Sequence, residues 1–211
     1  MNITTYDYPY KHIIADGVIP SSLAQKLHSN CFEIEEESID FTREGQSQDN
    51  IECYKNKKNI NPLETSDHIL IENQIERVSR LFTDVYDPKY YKWSISLNEV
   101  NRAHGNFLAP HTDDPIVMKE RGLNPPVLRC LLYVADGRLN YPHYGTKIYT
   151  DSNRSSYVKE VEFVASRLLI FECNDKSWHG TDFIKGLPNR RFFINGLYQY
   201  ITDNSGKPQA I

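Results

Sequence analysis

Short apolar stretches recur from residue 91 to residue 201, and this pattern limits the fold more than any other feature of the sequence. The first stretch, "YKWSISLNEV", alternates Trp93, Ile95 and Leu97 with polar residues, which is the period of a half-buried strand. Further strands are predicted at residues 127 to 135, 146 to 150, 159 to 165, 167 to 173 and 190 to 201. Proline and glycine punctuate them, as in "NPP", "ADG" and "KGLPN", so we expect an antiparallel sandwich or barrel.

Two amphipathic helices are predicted ahead of these strands. The first covers residues 21 to 33, "SSLAQKLHSNCFE", after a serine cap. The second covers "SDHILIENQIERVSRLF" and ends at "DPK". Its apolar positions are Ile69, Ile75, Val78, Leu81 and Phe82. The polar segment between the helices has no sustained period, so we interpret it as an irregular connection with at most short strands.

The length of 211 residues favours a single domain of the α+β, mainly β class. We expect residues 1 to 90 to provide a strand and helices that pack on one sheet, and residues 91 to 202 to form the β core. The net charge of -4 and pI near 6.0 disfavour binding to nucleic acid. No stretch of 18 apolar residues and no signal sequence is visible, so we expect neither membrane insertion nor export. The sequence leaves the oligomeric state open.

The four cysteines do not have the spacing of a zinc site or a redox motif. Two of them, Cys130 and Cys173, lie in the apolar runs "VLRCLLYV" and "LLIFECN", which is typical of buried free thiols. The other two are Cys31 and Cys53. Unpaired thiols are usual in a reducing compartment, so the expected location is cytoplasmic.

The stretch "FLAPHTDDP" places His111 and Asp113 two residues apart, so both side chains can project to the same face of an extended segment. His179, in "KSWHG", follows a predicted buried strand and could supply a third ligand. Two histidines and one carboxylate form the open coordination set of non-haem Fe(II) oxygenases. With seven histidines and 28 acidic residues, about one His-x-Asp/Glu pair is expected by chance. A loop salt bridge and a partly buried histidine therefore remain alternatives for these residues on spacing alone.

The order of several motifs is more specific than any one of them. Residues 90 to 202 contain "GNFLAPHTDDP", "LRCLLYVAD", "YGTKIYT", "RLLIFECNDKSWHG" and "RRFFINGLYQY" in sequence. This series resembles the Fe(II)/2-oxoglutarate-dependent oxygenases, specifically their prolyl-hydroxylase-like branch. The opening segment "YPYKHIIADGVIPSSLAQKL" also looks like the first strand and helix of that family.

The resemblance implies a double-stranded β-helix core, also called a jelly roll or cupin-like fold, with iron held by His111, Asp113 and His179. It also implies that "NRRFF" supplies the basic residue that binds the distal carboxylate of 2-oxoglutarate. Only one of Arg190 and Arg191 can face inward on a strand, and alignment of "RFFINGLY" with the last core strand of the family favours Arg191. A pair of arginines that merely flanks an edge strand is the alternative.

Three further positions are candidates for contacts in the pocket. Tyr133 occupies the place of a family tyrosine whose hydroxyl reaches the same carboxylate, although it could equally be a core aromatic residue. Arg129 shares strand parity with Tyr133 and could contact an anionic group. Asn101 replaces a usual tyrosine ahead of the motif and is a second candidate for substrate contact.

Two departures from the family pattern affect the expected cosubstrate site. The chain has Tyr144-Gly145-Thr146 where relatives commonly carry two glycines, and Phe193 where they often carry a small or hydroxyl residue.

The resemblance implies an enzyme that uses Fe(II), O2 and 2-oxoglutarate, with ascorbate as a supporting reductant, and releases succinate and CO2. Because Asp113 is present, hydroxylation of a C–H bond is favoured over halogenation, while desaturation and ring closure stay open. The charged loops suit a polar small molecule or a peptide side chain. The alternative is a jelly-roll module that binds a metal or a sugar without redox chemistry.

Overall fold

The computed structural model describes residues 1–32, 54–56, 64–101, 109–120, 126–135, 141–181 and 190–201. These residues contain three helices, α1 (Ser21–Phe32), α2 (Thr65–Ser79) and α3 (Pro115–Glu120). They also contain ten strands: β1 (Asn2–Tyr6), β2 (His12–Asp16), β3 (Tyr54–Asn56), β4 (Tyr91–Asn101), β5 (Pro126–Val134), β6 (Tyr141–Tyr149), β7 (Tyr157–Phe163), β8 (Leu168–Glu172), β9 (His179–Gly180) and β10 (Arg190–Tyr200).

The strands form two antiparallel sheets. The larger sheet has seven strands in the order β1-β2-β8-β5-β10-β4-β3, and the smaller has three in the order β7-β6-β9. Strand β10 lies near the middle of the larger sheet, where it pairs with β4 on one side and β5 on the other. The prediction of a mainly β chain with antiparallel sheets is therefore confirmed.

The two faces of the larger sheet bury different partners. On β5, Cys130 and Leu132 face the side covered by α1 and α2, whereas Leu131 and Tyr133 face the smaller sheet. The alternation follows from the period of two along a strand. One apolar core thus lies between the larger sheet and the helices, and a second lies between the two sheets. Polar residues that face the second core are enclosed by both sheets.

Helix α2 buries Ile75 and Val78 of the apolar positions named from the sequence, and Ile71 with them. Ile71, Ile75 and Val78 are fully buried and recur at the helical spacing of four and three residues. Ile69 is 52% exposed because it lies two residues, or roughly 200°, around the helix from Ile71. Leu81, two residues beyond the end of the helix, is 46% exposed. Two of the apolar positions named from the sequence, Ile69 and Leu81, therefore lie at the surface.

Other differences arise where the sequence has no apolar period. Strand β1 was not predicted, since four of its five residues are exposed, yet it pairs along its whole length with β2. Helix α3 was not predicted either, and the Asp114 carboxylate accepts a hydrogen bond from the backbone N–H of Ile116 in its first turn. Strand β3 lies in the connection that we interpreted as irregular, most of which lies outside the described residues.

The described cysteines agree with the thiol prediction. Cys31, Cys130 and Cys173 are buried and form no disulfide with one another, while Cys53 lies outside the described residues. None of the helices in the described part of the chain combines the length and apolar character needed to cross a membrane.

We expect Ile71→Ala to lower the free energy of unfolding by about 2 to 5 kcal/mol, because it leaves a cavity between α2 and the larger sheet. Ile69→Ala is the matched control and should change stability by no more than about 0.5 kcal/mol. Urea unfolding of the two variants measures both values. Equal losses would contradict the face assigned to α2.

His12, on β2, is a buried histidine with one unsatisfied nitrogen. Its Nδ1–H donates to the backbone carbonyl of Tyr10 at 2.8 Å, and its ring stacks on Tyr6 with centroids 4.8 Å apart. The Nε2 atom has no hydrogen-bond partner among the described residues. Burial lowers the pKa of His12, and the positive charge of Lys159 lowers it further. The imidazole is therefore held neutral in the folded protein.

This depressed pKa makes stability depend on pH. Below about pH 6.5 His12 is protonated in the unfolded chain, whereas it stays neutral in the folded protein. The free energy of unfolding should therefore fall as the pH drops below that value. The slope from one such group is at most about 1.4 kcal/mol per pH unit. We expect His12→Phe to make the decline between pH 7 and 5 shallower in urea unfolding experiments. The same slope in both proteins would contradict the prediction.

Candidate metal centre and pocket

A reciprocal pair of backbone hydrogen bonds brings the two sequence-predicted histidines together. The N–H of His111 donates to the carbonyl of His179, and the N–H of His179 donates to the carbonyl of His111, both at 2.9 Å. Strand β9 contains His179 and pairs with β6 in the smaller sheet. The segment before α3 is thereby fixed to the edge of that sheet.

The side chains of both histidines are oriented by local hydrogen bonds. The Nδ1–H of His111 donates to the carbonyl of Ala109, and the Nδ1–H of His179 donates to the carbonyl of Ser177, each at 2.9 Å. A carbonyl can only accept, so each ring carries its proton on Nδ1 and has its lone pair on Nε2. This is the usual arrangement of metal-binding histidines, in which a second hydrogen bond fixes the tautomer.

Asp113 completes the group. Its Oδ2 atom lies 3.7 Å from Nε2 of His179. One ligand atom from each of His111, Asp113 and His179 lies within 4.8 Å of the others. Asp113 and His179 are buried and His111 is half-buried.

Arg129, on β5, contacts the candidate metal ligand Asp113. Its Nη1 atom donates to Oδ2 of Asp113 at 2.5 Å. Burial opposes ionisation of Asp113, but the positive charge of Arg129 and the two imidazoles outweigh it and hold the carboxyl pKa below its usual range. Burial, together with His111, lowers the pKa of His179 to about 3. Asp113 is thus an anion and His179 is neutral at neutral pH, which are the forms that bind metals.

The donor set fits a divalent transition metal. Two neutral imidazole nitrogens and one carboxylate suit Fe(II), and three protein ligands leave further coordination positions for small molecules. Sites with all positions filled by protein are structural, whereas open sites support chemistry. The residues present therefore fit the iron that the sequence resemblance implies.

A small cavity adjoins this cluster. It is lined by Arg129, Leu131, Thr146, His179, Gly180, Thr181, Arg191, Phe193 and Asn195. The described lining residues thus include two arginines and no acidic residue.

Arg191, on β10, lines the cavity and is buried, with only 2% of its surface exposed. Its Nη2 donates to Oγ1 of Thr146 at 3.2 Å, and its guanidinium carbon lies 5.1 to 5.3 Å from the ring centroids of Tyr133, Phe163 and Phe193. The Nε atom has no hydrogen-bond partner, and no acidic side chain in the described part of the chain pairs with Arg191. A buried cation without an anion is unfavourable unless a ligand supplies the negative charge.

Thr146, on β6, connects two of the predicted contacts. The Tyr133 hydroxyl donates to Oγ1 of Thr146 at 2.7 Å, beside the bond from Arg191. Gly145, the preceding residue, must lack a side chain, because a Cβ there would lie 1.9 Å from the carbonyl oxygen of Val161. The Gly145-Thr146 pair thus brings a hydroxyl to the arginine.

The structure places the other candidates as follows. Arg129, Tyr133 and Arg191 lie on the same face of the larger sheet, toward the cavity or its wall. The side chains of Arg190 and Asn101 lie outside the described residues, although their backbones pair with each other.

The sequence interpretation missed Thr146 and Asn195, which line the cavity. Asn195 could have been found from its spacing of four from Arg191 on β10, which puts both on one face. Thr146 had no such signal, because it reaches Arg191 from the opposite sheet.

Comparison with solved structures gives relatives of similar fold. The structure is similar to a crystal structure of a Pseudomonas putida prolyl-4-hydroxylase, with a TM-score of 0.57 and 15% sequence identity. The match covers 89% of this chain and 91% of that chain. No family model matches the sequence, and no curated protein matches it. At 15% identity the likeness concerns the fold alone.

We expect Arg191→Met to raise the free energy of unfolding of the ligand-free protein by about 1 to 3 kcal/mol, because it replaces a buried unpaired charge with an apolar chain of similar length. Arg167→Met is the matched control. Arg167 pairs with Asp16 at 2.6 Å, so its replacement should lower stability instead. Urea unfolding without added metal or 2-oxoglutarate compares the two. Destabilisation by both substitutions would show that other groups of the protein compensate the charge of Arg191.

Proposed function

We propose that this protein is an Fe(II)- and 2-oxoglutarate-dependent dioxygenase that hydroxylates a C–H bond of a polar small molecule or a peptide side chain. With iron bound, such a site couples the oxidative decarboxylation of 2-oxoglutarate to hydroxylation. One oxygen atom of O2 enters succinate, the other enters the product, and CO2 is released. The two-electron oxidation of the substrate and that of 2-oxoglutarate together account for the reduction of O2.

One observation carries the proposal. Arg191 is a buried guanidinium without an acidic partner among the described residues, and it shares a cavity with His179 of the His–Asp–His cluster. A metal-binding module without a cosubstrate has no need for such a charge. A ligand that has one carboxylate for Arg191 and a second chelating end for a metal satisfies both features, and 2-oxoglutarate has this chemistry.

The residues would divide the work in the following way. His111, Asp113 and His179 would hold iron, with the Nδ1 hydrogen bonds keeping the two rings in place. Arg191 would bind the distal carboxylate of 2-oxoglutarate through its planar fork. Tyr133 and Thr146 would add hydroxyl contacts at the same carboxylate.

The fold supports this assignment. We propose that the two facing sheets are the double-stranded β-helix of this enzyme class, with residues 91 to 202 as its catalytic core. The likeness to a prolyl-4-hydroxylase supports the same class. Phe193 faces the arginine where relatives often carry a hydroxyl, and Thr146 would supply that hydroxyl from the opposite sheet. Aromatic rings around Arg191 would keep water away from the bound carboxylate.

The first test is chelation. Wild-type protein given Fe(II) and 2-oxoglutarate without oxygen should develop a weak visible charge-transfer band, and with oxygen and ascorbate it should form succinate. His111→Ala should abolish both, while its circular dichroism stays close to that of the wild type. His68→Ala, on the partly exposed face of α2, is the matched control and should retain both. Succinate formation that is equal with and without His111 would end this proposal.

The Arg191→Met variant tests cosubstrate binding separately from metal binding. Loss of a charge-assisted hydrogen bond costs about 1.5 to 3 kcal/mol, so the Kd for 2-oxoglutarate should rise by roughly 10-fold to 150-fold. Binding of Mn(II) alone should be retained. Unchanged affinity for 2-oxoglutarate would favour a metal-binding module without the proposed cosubstrate.

A further inference from the structure

Asn195, in the middle of β10, is a polar residue at a position that disfavours it. The strand is paired on both sides here, with Ser96 of β4 and Leu131 of β5, so Asn195 lies inside the sheet. Asparagine is depleted in strands, because it fits a pleated and half-buried surface poorly. Only 9% of the surface of Asn195 is exposed. Its presence in a buried strand that borders a cavity therefore indicates a role other than folding.

The side-chain oxygen of Asn195 lacks a donor. Its Oδ1 atom has no hydrogen-bond partner among the described residues. Leu131, opposite it on β5, and Phe193, two residues earlier on β10, line the same cavity and are apolar, so neither side chain can donate. A buried acceptor without a partner is costly, and an N–H or O–H group of a ligand removes that cost. Asn195 lines the cavity as well, so a ligand bound there can reach it.

The sheet register places Asn195 at the end of the cavity that adjoins the candidate metal ligands. Its direct partner is Leu131, and Arg129, two residues from Leu131, contacts the candidate ligand Asp113. Asn195 and Arg191 are four residues apart on the same strand, or roughly 13 Å. A carboxylate bound by Arg191 is therefore not the partner of Asn195.

The proposed cosubstrate does not provide the missing donor. The carboxylates and the ketone of 2-oxoglutarate accept hydrogen bonds and cannot donate them. An ammonium group is a poor choice, because the Arg191 guanidinium and a bound divalent metal are both positively charged. The donor that fits best is neutral, either the N–H of an amide or the O–H of an alcohol. The substrate is the component of the proposed reaction that can carry such a group.

We propose that Asn195 is a specificity-determining residue that accepts a hydrogen bond from a neutral N–H or O–H group of the substrate. This inference rests on the proposed function, and it narrows the substrate to an amide with a free N–H or to an alcohol. The hydrogen bond holds the C–H bonds beside the donor at the metal end of the cavity. A substrate whose donor is methylated loses this contact.

The first experiment tests whether Oδ1 lacks a donor within the protein. Asn195→Leu replaces the amide with an apolar group of similar size, so it should raise the urea midpoint of the protein without metal or cosubstrate. Asn153→Leu is the matched control. Oδ1 of Asn153 accepts a hydrogen bond from the N–H of Ser155 at 3.0 Å, so its replacement should lower the midpoint. A lower or unchanged midpoint for Asn195→Leu would overturn the proposal, because the protein or a cavity water would then satisfy Oδ1.

The second experiment varies the donor on the probe. Anaerobic wild-type protein saturated with Fe(II) and 2-oxoglutarate is titrated with N-methylacetamide and with N,N-dimethylacetamide, which lacks the N–H. Ethylene glycol monomethyl ether and ethylene glycol dimethyl ether give the same comparison for an O–H donor, and methylammonium chloride tests a charged donor. The shift of the charge-transfer band gives each Kd. We expect at least one neutral donor to bind about 2-fold to 10-fold more tightly than its methylated counterpart and than methylammonium.

Variants assign this preference to Asn195. In Asn195→Leu, each donor and its methylated counterpart should bind equally. Asn195→Thr keeps an oxygen acceptor and should keep part of the preference, and it provides the comparison if the leucine variant does not fold. Asn153→Leu should keep the preference of the wild type. Full retention of the preference in Asn195→Leu would assign it to another group and overturn the proposal.

Failure of this inference is distinct from failure of the proposed function. If the band forms but wild-type protein does not distinguish the donors from their methylated counterparts, including no response to any of them, the role of Asn195 is wrong. Tighter binding of methylammonium than of both neutral donors would also contradict it. If the band does not form in wild-type protein, the proposed function itself is at fault.

Discussion

The candidate metal centre depends on two backbone hydrogen bonds between His111 and His179, each 2.9 Å long. These residues are 68 positions apart in the sequence, and the bonds fix their separation without any contribution from the side chains. His111 forms an isolated bridge rather than part of a strand. The pairing with His179 therefore holds the backbone of His111 in place. Any change that separates the segment from β9 would separate the ligands too.

The polar groups that give this pocket its chemical properties also lower the stability of the fold. A guanidinium enclosed by three aromatic rings, a carboxylate held between an arginine and two imidazoles, and an asparagine oxygen with no donor among the described residues are each unfavourable in an apolar interior. The surrounding cores compensate for this cost. On the opposite face of the same sheet, residues such as Leu132 and Ile194 are fully buried among apolar neighbours from α1 and α2. One face of the sheet therefore stabilises the fold, while the other presents polar groups.

The sequence predicted the parts of this structure that follow from local periodicity. Strand alternation placed Arg129 and Tyr133 on one face, and Arg191 faces the cavity, as the alignment of "RFFINGLY" favoured. On α2 the sequence identified Ile75 and Val78, which are buried, together with Ile69, which is exposed, because Ile69 and Ile71 offer two overlapping apolar patterns and only packing decides between them. Thr146 could not be foreseen, since its contact with Arg191 depends on how two sheets face each other. The spacing of His111 and Asp113 was uninformative alone, and the order of several motifs gave it meaning.

In both candidate histidine ligands, the ring Nδ1–H donates a hydrogen bond to the backbone carbonyl two residues earlier. The two tripeptides are Ala109-Pro110-His111 and Ser177-Trp178-His179. The orientation of each imidazole is thus contained within a tripeptide and does not need a distant outer residue. Substitutions in the flanking loops can therefore accumulate without changing the ring geometry, provided that these two tripeptides keep their backbone conformation.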